Sequence, residues 1–123
     1  MALKRRFGYI FETQNKYPGA PTITQHVISK MESFLLHDTL VTPVEALHNK
    51  LPVLGYSMED FTYLTDVKTM APSEIEKIKG TKVLVINALR QEPHPSHLNL
   101  EEALAFIAEV KSHRAYLTHI SHH

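Results

Sequence analysis

Residues 51–66 read LPVLGYSMEDFTYLTD, and how this stretch folds decides the architecture. Val53-Leu54-Gly55-Tyr56 and Phe61-Thr62-Tyr63-Leu64 are β-rich runs joined by Met58-Glu59-Asp60, which predicts a hairpin. The second run leads directly into Thr65-Asp66 and so leaves a carboxylate at a strand end. Catalytic groups on α/β scaffolds gather at strand ends that face a cleft. A lone aspartate at such a place more often only closes a turn. The chemical reading therefore needs partners for Asp66.

Upstream, Leu40 to Leu47 and Ser33 to Leu36 read as strands separated by the turn-like His37-Asp38, and Thr24 to Ile28 reads as another. Before them KYPGAPTI (residues 16–23) is a loop, because Pro-Gly and Ala-Pro both disfavour regular structure, and the first third as a whole reads as irregular. Downstream, Pro72 to Ile78 has a proline and acidic residues at its start and a lysine near its end, as a short helix prefers. The β-branched Thr81 to Ile86 predicts a buried strand. Asn99 caps a helix to about Lys111, with Leu100, Ala103, Leu104, Ile107 and Val110 on one face. Arg114 to Thr118 is the last strand. A hairpin-rich middle followed by strand–helix–strand–helix–strand predicts a layered α/β sandwich.

The 123 residues are enough for one modest domain with a real core. Thirteen basic residues balance thirteen acidic ones, so no positive field argues for nucleic acid or a membrane surface. Cysteine is absent, which excludes disulfides and thiolate metal sites and fits a cytoplasmic location. Apolar runs such as Val83-Leu84-Val85-Ile86 are far short of a membrane span. The basic Met1 to Arg6 is followed by Phe7-Gly8-Tyr9 and no long apolar stretch, so no signal peptide is expected. The anomaly is nine histidines, in a chain that closes with RAYLTHISHH. Histidine is the commonest metal ligand and the usual acid or base near neutrality.

Three of these histidines fall just past an element. His48 ends the strand leading into the hairpin, His97 precedes the capped helix, and His119 ends the final strand. Singly, each is more often an ordinary surface or core residue. Together with Asp66 they form a His/Asp set suited to zinc, manganese or iron.

LHNKLPVLGYSMEDFTYLTDVKTM, VLVINALRQEPHPSHLNLEEALAF and RAYLTHISHH, in that order, resemble the second half of a metallo-β-lactamase-fold hydrolase. The nearest branch is the cyclic phosphate phosphodiesterases called PhnP-like, related to the tRNA 3′-processing nucleases. The resemblance implies that residues 1–123 are the C-terminal part of an αββα sandwich. It implies metal ligation by His48, Asp66 and His119, with Asp66 bridging two divalent ions (zinc or manganese), and a catalytic His97 near the leaving group. His94 competes with His97 for that last role. The implied substrate is a small phosphodiester, with nucleic acid disfavoured by the neutral charge.

The departures are as informative as the matches. No His-x-His-x-Asp-His occurs in the chain, although the family's first metal motif has that form. Asn49 stands where this branch usually has glycine, and Asn87 where aspartate is common. His122 continues the family's pattern, whereas His123 fits either a native end or a tag. The chain alone is therefore expected to hold metal partly or not at all and to be inactive. It is expected to pair with a second copy or with a missing N-terminal half. The competing expectation is a non-catalytic half-domain that serves as an oligomerisation module.

Overall fold

The computed structural model describes residues 2–12 and 18–122. Among them are four helices, α1 (Ala2–Arg6), α2 (Gly8–Phe11), α3 (Pro72–Glu76) and α4 (Leu100–Val110). Six strands, β1 (Phe34–Leu36), β2 (Thr39–His48), β3 (Leu51–Met58), β4 (Phe61–Leu64), β5 (Val83–Asn87) and β6 (Arg114–Thr118), lie side by side in that order in one sheet.

β1 to β4 form an antiparallel meander closed by two-residue turns, with Leu36 opposite Thr39, His48 opposite Leu51 and Met58 opposite Phe61. The first turn residue is left-handed each time: His37 at φ 52°, Asn49 at 58° and Glu59 at 50°. Asn49 thus occupies a glycine-like position as one of the few residues that tolerate this backbone, which accounts for the substitution read from the sequence. From β4 onward the sheet is parallel, and α3 and α4 occupy the two crossovers.

Both helices cover one face. Ile75 and Ile78 from the α3 region and Ala103, Phe106 and Val110 from α4 share a core with Val44, Ala46, Leu64, Leu84 and Ile86 of the sheet. Gly55 is buried opposite Val44 because Leu64 fills the space beside it; a Cβ there would lie 2.1 Å from Leu64 Cδ2. Asn99 caps α4 with a complete capping box, its side chain accepting from Glu102 N–H while the Glu102 carboxylate accepts from Asn99 N–H. On the other face Phe34, Leu36, Val41, Tyr56, Met58, Phe61 and Tyr63 line an apolar groove, with Leu36 and Tyr63 exposed. The described residues are thus one sheet with one helical layer, a partial αββα sandwich.

Two expectations are corrected. Thr24–Ile28 is irregular and mostly exposed, with Val27 94% accessible. Its β-rich composition lacks a partner strand, and strand propensity acts through cross-strand packing. At the start of the chain, α1 and α2 form where irregular chain was expected, with the Lys4 ammonium 5.9 Å from the centre of the Phe11 ring. Of the loop expected at 16–23, Pro18-Gly19 is a turn and 20–23 is irregular, whereas Lys16 and Tyr17 lie outside the described residues. No helix among the described residues is long and apolar enough to cross a membrane.

Candidate metal centre

Strand direction brings the candidate residues together. β2 is antiparallel to β3 and β3 to β4, so β2 runs the same way as β4, β5 and β6. The C-terminal ends of those four strands therefore share one edge of the sheet. His48 ends β2, Asp66 follows β4, the β5–α4 loop carries His94, Ser96 and His97, and His119 follows β6. Asp66 and His119 both leave their strands in the left-handed region, at φ 58°.

His97 sits at the centre and is the most buried of the group, with its side chain 11% accessible. Its Nε2 lies 3.1 Å from Asp66 Oδ1, and His119 Nε2 approaches the same oxygen at 3.6 Å. The His97 ring packs edge-on to His48 at a centroid distance of 4.5 Å and stacks on His119 at 4.8 Å. On the other side, His97 Nδ1 is 3.1 Å from Ser96 Oγ and 3.2 Å from His94 Nδ1. Every sequence-predicted site residue is in this cluster. Ser96 had no sequence signal beyond standing between two histidines.

Burial raises the Asp66 carboxyl pKa, but the His97 hydrogen bond, the nearby His119 and a Thr65 hydrogen bond outweigh it and hold it below the ordinary value. Asp66 is thereby kept ionised, as a ligand must be. Burial, and then the neighbouring His97, Arg90, His48 and Lys68, lower His94 and so favour its neutral imidazole. One ligand atom each from His48, Asp66 and His97 lie within 4.8 Å of one another, a set able to hold a divalent ion. His97 thus has ligand-like placement, beside the catalytic role that the family resemblance implies for it.

Comparison with known proteins agrees with this geometry. The family model described as the beta-lactamase superfamily domain matches residues 1–120. A protein of Porphyromonas gingivalis named octanoyltransferase is 36% identical over 123 residues, which is 99% of this chain and 25% of that protein. A crystal structure of a diphosphatase from the PhnP family superposes with a TM-score of 0.85 at 30% identity, over 98% of this chain and 43% of that one. The metallo-β-lactamase-fold protein YhfI of Bacillus subtilis (TM-score 0.71, 16% identity, 87% of this chain and 46% of that one) and human tRNase Z, short form (0.62, 21%, 73% and 40%), share the fold. The chain spans a quarter of the curated relative and less than half of each of these structures. A match over nearly every residue, with His and Asp side chains gathered where four strands end, makes this chain a member of the beta-lactamase superfamily domain family.

Proposed function

We propose that this chain supplies the second half of the active site of a dinuclear metal-dependent hydrolase acting on a small phosphodiester. The observation that carries the reading is the approach of His97 and His119 to one Asp66 carboxylate oxygen at a single sheet edge, with His48 packed on the His97 ring. In this reading His48, Asp66 and His119 would hold the divalent ions, zinc or manganese, in the intact domain. Such ions polarise phosphoryl oxygens and lower the pKa of water.

The chain's own residues then have definite tasks. Asp66 contributes negative charge at the centre of the cluster and fixes His97 Nε2 by hydrogen bonding. Ser96 and His94 hold His97 Nδ1, which sets the ring's orientation. In this reading His97 protonates the departing alkoxide or stabilises its charge, the work expected of a positioned imidazole. A second role for His97, as a ligand, is favoured by its grouping with His48 and Asp66. His97→Ala separates the two in the intact domain: metal retained with turnover lost assigns the acid, whereas metal lost assigns the ligand.

Three quarters of the protein named octanoyltransferase lies outside the match, so that name belongs to a chain of which this one spans a quarter. The competing view, a half-domain used only for assembly, gives the histidine cluster no task. Calorimetric titration of the chain with Zn²⁺ and Mn²⁺ tests the proposal. Binding that weakens at least tenfold in Asp66→Asn is expected, and binding indifferent to Asp66 would dismiss the site.

A further inference from the structure

The segment just after Asp66 is a backbone junction between the elements that carry the cluster. The Val67 carbonyl accepts from Leu98 N–H at 2.9 Å, next to His97. Lys68 N–H donates to Leu47 O at 2.8 Å, and Leu47 N–H donates to Thr69 O at 2.8 Å, next to His48. Ala88 N–H donates to Thr118 O at 3.0 Å, next to His119. One side chain enters this junction. Asn87, the fully buried last residue of β5, accepts from Val67 N–H through Oδ1 at 2.8 Å and donates to Val67 O through Nδ2 at 3.0 Å.

A primary amide meeting both polar groups of one residue copies one rung of a β-ladder with a side chain. It ties β5 to the chain just past Leu64, where the parallel β4–β5 pairing stops, at the place where Asp66 has turned left-handed. Left-handed backbone is uncommon for a non-glycine residue and persists when its surroundings over-determine it. Here the surroundings are Asn87 below and Leu98 beside Val67. Both hydrogen bonds of the Asn87 side chain go to the Val67 backbone and neither goes to a side chain of the cluster.

We propose that Asn87 is a positioning residue: its two-point grip on Val67 holds Asp66 in its left-handed turn, and through Leu98 holds His97 against Asp66. The geometry stands alone; its use in metal binding rests on the function proposed above. Asparagine suits this task because it supplies a donor and an acceptor together, whereas an ionised carboxylate supplies only acceptors.

The test compares Asn87→Ala with Val110→Ala, a core truncation near the C-terminal end of α4, both in the full chain without metal. NMR contacts between the His97 ring and the His48 and His119 rings are the first readout, and the Cα and Cβ shifts of Asp66 the second. Asn87→Ala is expected to lose the ring contacts and shift Asp66 out of the left-handed region while the sheet persists; Val110→Ala keeps both. If Asn87→Ala does not fold, Asn87→Ser is read in its place. Intact ring contacts and unshifted Asp66 in the folded variant would overturn the inference, as would equal loss in Val110→Ala. Cobalt titration then addresses function separately. Affinity should fall at least tenfold in Asn87→Ala, and an intact domain whose wild-type form keeps its ring contacts but binds no cobalt would refute the metal reading while leaving the positioning role standing.

Discussion

Gly55→Ala should destabilise the chain by about 2 kcal/mol, within the range for overpacking a tight core. The figure is a balance. Gly55 has no left-handed backbone, so alanine fits the strand's conformation and gains about 0.4–1 kcal/mol by restricting the unfolded chain. Against that, the new Cβ would lie 2.1 Å from Leu64 Cδ2 and 2.9 Å from Tyr63 O. Leu64 is fully buried and Tyr63 O is backbone, so neither yields without moving β4 or its packing. The clash therefore wins. Urea unfolding should show a lower midpoint with an unchanged slope. Leu64→Ala alone should cost about 2–5 kcal/mol. In the double variant the Leu64 Cδ2 collision is gone and only the milder approach to Tyr63 O remains, so the combined loss should fall short of the sum by at least about 1 kcal/mol. Additivity within about 0.5 kcal/mol would show that the Gly55–Leu64 contact is not the reason for glycine here.

Asn99→Ala removes the side-chain acceptor of the α4 capping box and should cost about 1 kcal/mol in the same assay. Acid should weaken the fold through Glu102 and Glu74: burial opposes both, but Lys68 with the Asn99 N–H, and Lys77 with the Glu45 N–H, bring their pKa values below the ordinary range. Lowered native pKa values mean that the unfolded chain takes up protons first. The stability they contribute is complete above the unfolded value of about 4.3 and is lost as pH falls through the native values. Glu102→Gln should flatten that slope in pH-dependent melting. The isolated chain should self-associate through the apolar face of Phe34, Val41, Tyr56, Met58, Phe61 and Tyr63, since apolar surface of this kind is favourably removed from water. Light scattering should show the mass fall to that of a monomer in Met58→Glu/Tyr63→Glu, and a monomeric wild type would refute it. Turnover of a chromogenic phosphodiester by the chain alone should be negligible.

The parts of this fold that were legible in the sequence are those set by local rules. The β3–β4 hairpin and the turn at His37-Asp38 announce themselves through β-rich runs and polar residues between them, and α4 through Asn99 and its apolar spacing. Thr24–Ile28 misleads because its residues have the composition of a strand, whereas pairing depends on a neighbour that local sequence does not specify. Asn49 was visible as a departure, but its reason appears only with the left-handed turn between β2 and β3.

The site divides along the same line. That His48, Asp66 and His119 follow strands could be read directly, and strand direction does the rest, because ends of strands running one way must share an edge. The contact between His97 and Asp66, 31 residues apart, needs more: β5 must lie parallel to β4 so that its outgoing loop returns over the Asp66 turn. The same pairing brings Asn87 beneath Val67, 20 residues away in the chain. In the sequence Asn87 is only a polar residue ending a buried strand. Its use depends on the register in which Leu64 faces Ile86, since a slip of one residue would turn the amide to the other face of the sheet. Metal ligands can therefore be proposed from motif order, whereas the residue that aims them emerges only from sheet register.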